Sequence, residues 1–135
     1  MKGKYVISCL MIMPRVLVID DENHIRYLYK EELTDEGYEV SLAGSAKEAL
    51  DILKDDKFDV AVLDIKLGDT GGLDLLQHLH ELYPSLPVII CTAYDSFQDH
   101  PMTQYARNYI VKSFNLTNLK HSLADILSSK NRADG

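Results

Sequence analysis

Phe58-Asp-Val-Ala-Val-Leu-Asp64, continued by Ile-Lys-Leu-Gly-Asp-Thr-Gly-Gly72, is a short, β-rich apolar run that stops at an acid and then at a glycine-rich turn. It has no helical period, so it predicts a buried strand delivering Asp64 to its carboxyl end. In open α/β sheets, ligands sit in the crevice outside the carboxyl ends of the strands. Asp is also a common helix or turn cap, and taken alone the stretch leaves both readings open.

Working outward, the flanking segments repeat the pattern. Arg15-Val-Leu-Val-Ile19 is a second apolar run, ending in Asp20-Asp21-Glu22. A helix follows, with Ile25, Leu28, Tyr29 and Leu33 on one stripe and Gly37 as its stop. Tyr38, Val40 and Leu42 alternate as a more exposed strand. Ser45-Ala-Lys-Glu48 is a capping box that opens a second helix with Ala49, Leu50, Ile52 and Leu53. After the Asp64 strand, a third helix is expected to bury Leu75, Leu76, Leu79, Leu82 and Tyr83 and to close at Pro84. Pro87-Val-Ile-Ile-Cys-Thr92 and Tyr109-Ile-Val-Lys112 are the fourth and fifth strands. Asn115 caps a last helix carrying Leu116, Leu119, Leu123, Ile126 and Leu127.

Between Asp95 and Asn108 the pattern weakens. Pro101 sits in the middle, with only Phe97, Met102 and Tyr105 as apolar anchors. Proline inside a helix costs about 3 kcal/mol, so at most a short helix starting near Pro101 is expected. The sum is an α/β fold: a single doubly wound, five-stranded parallel sheet with a shortened or irregular fourth helix. Residues 14–128 form the domain and 129–135 a polar tail. Residues 1–13 read as an N-terminal extension, MKGKYVISCLMIM. It is either an upstream extension of a natural start at Met13 or a short arm that packs on the domain or a neighbour. Its apolar run is too short to span a bilayer and lacks a small-residue cleavage site.

Composition narrows the function. An apolar fraction of 46% with 26% charged residues is ordinary for a soluble globular protein. A net charge of -7 with no basic stretch argues against direct nucleic-acid binding. Cys9 and Cys91 match no metal or redox spacing; Cys91 reads as a buried thiol, and the pair suggests a reducing compartment, the cytoplasm. His78 and His80, two apart on a helix, cannot share a metal.

Asp20-Asp21, Asp64, Thr92 and Lys112 all fall at strand ends on what must be one edge. Two like charges 4 Å apart repel by about 4 kcal/mol at an effective dielectric near 20. Clustered carboxylates therefore call for a cation, and an all-oxygen donor set points to Mg2+. A metal beside a carboxylate, a lysine and a hydroxyl suits phosphoryl chemistry, in which Asp can itself be the nucleophile.

The motifs Val-Leu-Val-Ile-Asp20-Asp21-Glu22, Val-Leu-Asp64 with its turn to Gly72, Pro-Val-Ile-Ile-Cys-Thr92-Ala93 and Tyr109-Ile-Val-Lys112-Ser-Phe114 together resemble a two-component response-regulator receiver domain of the CheY-like group. The resemblance implies a flavodoxin-like strand order 2-1-3-4-5 and a stand-alone phosphoacceptor in a phosphorelay. Its partners would be a histidine kinase or phosphotransfer protein and an unknown output protein. By the same resemblance Asp64 is the phosphoacceptor, and Asp21, Asp64 and the Lys66 backbone carbonyl bind Mg2+, with Asp20 acting through water. Lys112 and Thr92 hold the phosphoryl group, and Thr92 and Tyr109 form the switch. Lys66 and Tyr94 tune water access, predicting slow self-dephosphorylation. Such a domain is not a dedicated enzyme, although it catalyses its own phosphorylation and slow dephosphorylation.

Three departures stand out. Ser113 replaces the usual proline after the lysine, leaving that peptide either trans or strained. Gly68 replaces a frequent proline and loosens its loop. The Thr92–Lys112 spacing is short. Two alternatives are a Mg2+-dependent phosphohydrolase and a degenerate receiver acting as a protein-binding scaffold. The first lacks the Asp-x-Asp pairing, since Lys66 holds the second position. The second is opposed by the intact acids, Thr92 and Lys112.

Overall fold

The computed structural model describes residues 13–68, 71–113 and 115–134, with side chains as far as Ser128; residues 1–12 of the N-terminal extension, Phe114 and the polar-tail side chains lie outside it. The described elements are β1 (Arg15–Ile19), α1 (Asn23–Asp35), β2 (Glu39–Ala43), α2 (Ala46–Asp55), β3 (Val60–Leu63), α3 (Gly72–Leu82), β4 (Val88–Thr92), a 3-10 turn (Pro101–Tyr105), β5 (Asn108–Val111) and α4 (Thr117–Asp134). The strands form one sheet in the order β2-β1-β3-β4-β5, and every pairing is parallel.

Because side chains alternate along a strand, each central strand feeds two cores. Leu17, Ile19, Ala61, Leu63, Val88 and Ile90 pack against Ala49 and Leu53 of α2 and Leu75, Leu76 and Leu79 of α3. Val16, Val18, Val60, Val62, Ile89 and Cys91 pack against Tyr29 and Leu33 of α1 and Leu119, Leu123 and Ile126 of α4. Burial on both faces is why these strands read as unbroken apolar runs. The edge strand β2 is only half-buried over most of its length, which matches its alternating sequence. No helix among the described residues is long and apolar enough to cross a membrane.

Local signals act largely as expected. The Ser45 hydroxyl accepts from the Glu48 amide at 3.1 Å, while the Glu48 carboxylate reaches back one residue further than a standard box, to the Gly44 amide. Asn115 Oδ1 accepts from the Thr117 amide at 3.2 Å. Proline keeps the segment before β5 to a 3-10 turn, where the His100 ring nitrogen accepts the Met102 amide at 3.1 Å. His80 of α3 stacks on Tyr105 at 4.3 Å and anchors that turn.

Two expectations are corrected, the buried helix stripes and the role of Gly68. Leu28 is 42% exposed and Leu82 60% exposed, so the buried stripes of α1 and α3 are narrower than the sequence pattern. The backbone of the last helix continues into the polar tail, to Asp134. Gly68 is not merely a looser proline: its φ of 55° is a left-handed conformation that proline cannot take. The peptide between Lys112 and Ser113 is trans, one of the two outcomes expected for it, as are all peptide bonds among the described residues.

The turn after β3 is fixed by space. The Gly72 amide donates to the Ile65 carbonyl at 2.6 Å, and a Cβ on Gly72 would lie 2.2 Å from the Asp64 carbonyl oxygen. The start of α3 is thus seated directly under the Asp64–Ile65 peptide. Gly72→Ala is expected to destabilise the domain by more than about 2 kcal/mol, the range of overpacking and strain. Urea denaturation of the variant beside the wild type checks this; an unchanged midpoint would contradict the seating.

Candidate phosphoacceptor site

Alternation places the charged groups. Asp20 continues the parity of Val16 and Val18, Asp64 that of Val60 and Val62, and Lys112 that of Ile110, so all three leave the sheet on the α1/α4 side. The ladder extends one rung beyond the strands to hold their backbones. The Asp20 amide donates to Ala43 at 3.0 Å, the Asp64 amide to Ile19 at 3.1 Å and the Lys112 amide to Thr92 at 2.7 Å. The acids are therefore delivered by rigid elements, which is what geometric precision in a site requires.

Asp20 and Asp64 are 2% and 5% exposed. Each has its Oδ1 engaged by the backbone amide two residues on, Glu22 at 3.0 Å and Lys66 at 3.1 Å. These Asx turns pin the carboxylates locally. Each Oδ2 then faces the Lys112 ammonium, at 2.8 Å and 2.9 Å. The Glu22 carboxylate approaches the same ammonium at 3.8 Å. One lysine thus stands among three acids.

The electrostatics follow from that ratio. Burial works to lower the Lys112 pKa, but hydrogen bonds to Asp20 and Asp64 outweigh it and hold the ammonium charged, with its pKa raised. Burial raises the Asp20 pKa; Lys112 counters this, and the nearby Asp64 adds to the rise. The two shifts pull the pair in opposite senses, toward a charged lysine and a neutral acid. The lysine has two close acidic partners, whereas each acid has only a share of one lysine.

Carboxylate oxygens of Asp20, Glu22 and Asp64 lie within 4.8 Å of one another, a spacing that a single metal ion could bridge. This donor set is all oxygen, partly buried and under-neutralised, so it fits a hard cation such as Mg2+. Glu22 is the member that sequence reasoning missed; the signal was its place two residues after Asp20, folded back by the Asx turn. Conversely, Asp21 is exposed and stands outside the cluster, its Oδ2 accepting the Gly68 amide at 2.9 Å. Arg26 was also missed: its guanidinium donates to the Asp20 carbonyl at 2.6 Å and lies where a Gly44 Cβ would come within 2.9 Å of it.

Thr92 continues the parity of Val88 and Ile90, toward the α2/α3 side, and is fully buried. Its Oγ1 has no hydrogen-bond partner among the described residues. A buried orphan hydroxyl is costly, and this one lies at the end of β4, beside the Asp64 strand. Tyr109 lies on the same side, half-buried, with its hydroxyl donating to the Tyr94 carbonyl and its pKa raised by burial. The Lys66 ammonium sits 5.4 Å above the Tyr94 ring, so the two residues expected to govern water access touch each other.

Comparisons with known proteins agree with this geometry. The family model for the response regulator receiver domain matches residues 16–124. Response regulator MprA of Mycolicibacterium vanbaalenii is 32% identical over 123 residues, covering 90% of this chain and 53% of MprA, so the chain spans about half that relative's length. The response regulator TrrA of Thermotoga maritima, solved in complex with Mg2+-BeF, superposes with a TM-score of 0.82 at 36% identity, covering 84% of this chain and 99% of TrrA. TrrA in complex with the histidine kinase ThkA gives a TM-score of 0.80 at 36% identity, covering 85% and 99%.

Thr92→Val, which removes the orphan hydroxyl at nearly constant shape, is expected to stabilise the unphosphorylated domain by about 1 kcal/mol, read from the denaturation midpoint. A loss of stability would show that Thr92 Oγ1 is already satisfied. The same fold, site geometry and family match lead to one identification: this chain belongs to the response regulator receiver domain family.

Proposed function

We propose that the chain takes a phosphoryl group onto Asp64 from the phosphohistidine of a histidine kinase or phosphotransfer protein in the cytoplasm, and signals to an output protein through a phosphorylation-dependent change of surface. The observation that carries this is the single Lys112 ammonium held between two buried carboxylates, beside a strand ending in an unpartnered hydroxyl. The TrrA complexes with Mg2+-BeF and with ThkA support the same assignment.

Asp21, Asp64 and the Lys66 carbonyl are proposed to hold Mg2+ directly, with Asp20 through water. When bound, Mg2+ offsets the negative charge of the carboxylates and of the incoming phosphoryl oxygens. An Asp64 carboxylate oxygen attacks phosphorus in line as the bond from phosphorus to the donor imidazole nitrogen breaks, and that nitrogen keeps the electron pair. Lys112, already charged and already within reach of Asp64, turns to a phosphoryl oxygen. The acyl phosphate brings more negative charge and new strong acceptors to the strand end. Thr92 Oγ1 donates to one of them and gains the partner it lacks. Tyr109 then moves further into the space that Thr92 leaves, shifting the population between two surfaces.

Incubation with acetyl phosphate and Mg2+, followed by intact mass, should show one added phosphoryl group, absent in Asp64→Asn. Labelling of that variant at the same site would overturn the assignment. The large side chains of Lys66 and Tyr94, in contact with each other, predict slow loss of label from the purified phosphoprotein. Tyr94→Ala should speed that loss several-fold, and an unchanged rate would remove Tyr94 from this role.

A further inference from the structure

The link between Asp21 and Gly68 has a bearing on how the site takes its cation. Asp21 is the next residue after buried Asp20, yet it is exposed and its carboxylate is tied across to the turn after β3. The donor is the Gly68 amide at 2.9 Å, presented by a left-handed residue with φ of 55°. At the start of α3, Gly72 is packed closely against the backbone of Asp64 and Ile65. The carboxylates that do converge are Asp20, Glu22 and Asp64.

We propose that the Gly68 amide holds the Asp21 carboxylate off the metal-binding cluster, so that cation binding must break this bond. Gly68 is then a positioning residue that sets metal affinity through Asp21. This rests on the assignment of Asp21 as a metal ligand made above. A charge-assisted bond of this kind is among the stronger hydrogen bonds a carboxylate makes. Groups outside the coordination sphere change metal affinity by about tenfold or more. The bond uses only the backbone N–H, so it depends on the residue at 68 not being proline. A Cβ at Gly68 would meet nothing within 4 Å, so alanine would keep the amide at the cost of backbone strain alone.

The test is an Mg2+ titration of the nitrogen-15-labelled wild type, of Gly68→Ala, and of a semisynthetic protein with glycolic acid in place of Gly68, which turns the amide into an ester and removes only the donor, followed by amide signals and by calorimetry. In the wild type, the Gly68 amide should lose its hydrogen-bonded shift and exchange faster with water as Mg2+ binds. The ester should bind Mg2+ several-fold more tightly, while Gly68→Ala keeps the wild-type affinity despite a lower melting temperature. An ester affinity equal to or below wild type overturns the proposal. Wild-type binding with an unmoved Gly68 amide overturns it alone; no Mg2+ response in the wild type overturns the phosphoacceptor assignment as well.

Discussion

One ammonium shared by two buried carboxylates is the constraint on which the site depends. Asp20 and Asp64 come from neighbouring strands, and Lys112 reaches both from β5, two strands beyond Asp64. Taking such groups out of water is expensive, and replacing a buried ion pair by packed apolar residues is often neutral or stabilising. Stability alone therefore does not account for the trio. An excess of negative charge at a rigid strand end is what a bound cation would offset, and under the proposed function that cation and Lys112 together would also face the incoming phosphoryl oxygens.

The sheet divides the labour between its faces. Asp20, Asp64 and Lys112 follow the parity of the residues packed under α1 and α4, whereas Thr92 and Tyr109 follow the parity of those packed under α2 and α3. Charge chemistry and the proposed switch are thus separated by one backbone layer and meet only at the strand ends. That arrangement gives a local event on Asp64 a route to the opposite surface. Under the proposed function that route would run through the Thr92 hydroxyl, which has no partner among the described residues, and the Tyr109 ring, whose hydroxyl is bonded to the Tyr94 carbonyl.

Much of this was legible in the sequence because burial on both faces leaves a plain signature. Four apolar runs ending in Asp20, Asp64, Thr92 and Lys112 specify a parallel sheet and bring the reactive residues to one edge, and Pro101 limits the segment before β5 to a short turn. What sequence could not show depends on side-chain direction and contact. Glu22 joins the acid cluster where the chain folds back on Asp20, while Asp21 stands outside it with its carboxylate on the Gly68 amide. The requirement for glycine at 72 is a matter of one close approach, invisible in a turn that already contains several glycines. Leu28 and Leu82 fit the helical period yet point past the core, since periodicity marks a face without fixing its width.

The most direct measurement is fluorine-19 NMR of beryllofluoride added with Mg2+. If the under-neutralised acids and Lys112 are built to receive a phosphoryl group, resonances of a bound species should appear in the wild type and vanish in Asp64→Asn, with Lys112→Ala binding at least tenfold more weakly. Equal bound signals in the wild type and Asp64→Asn, or none in either, would contradict the account.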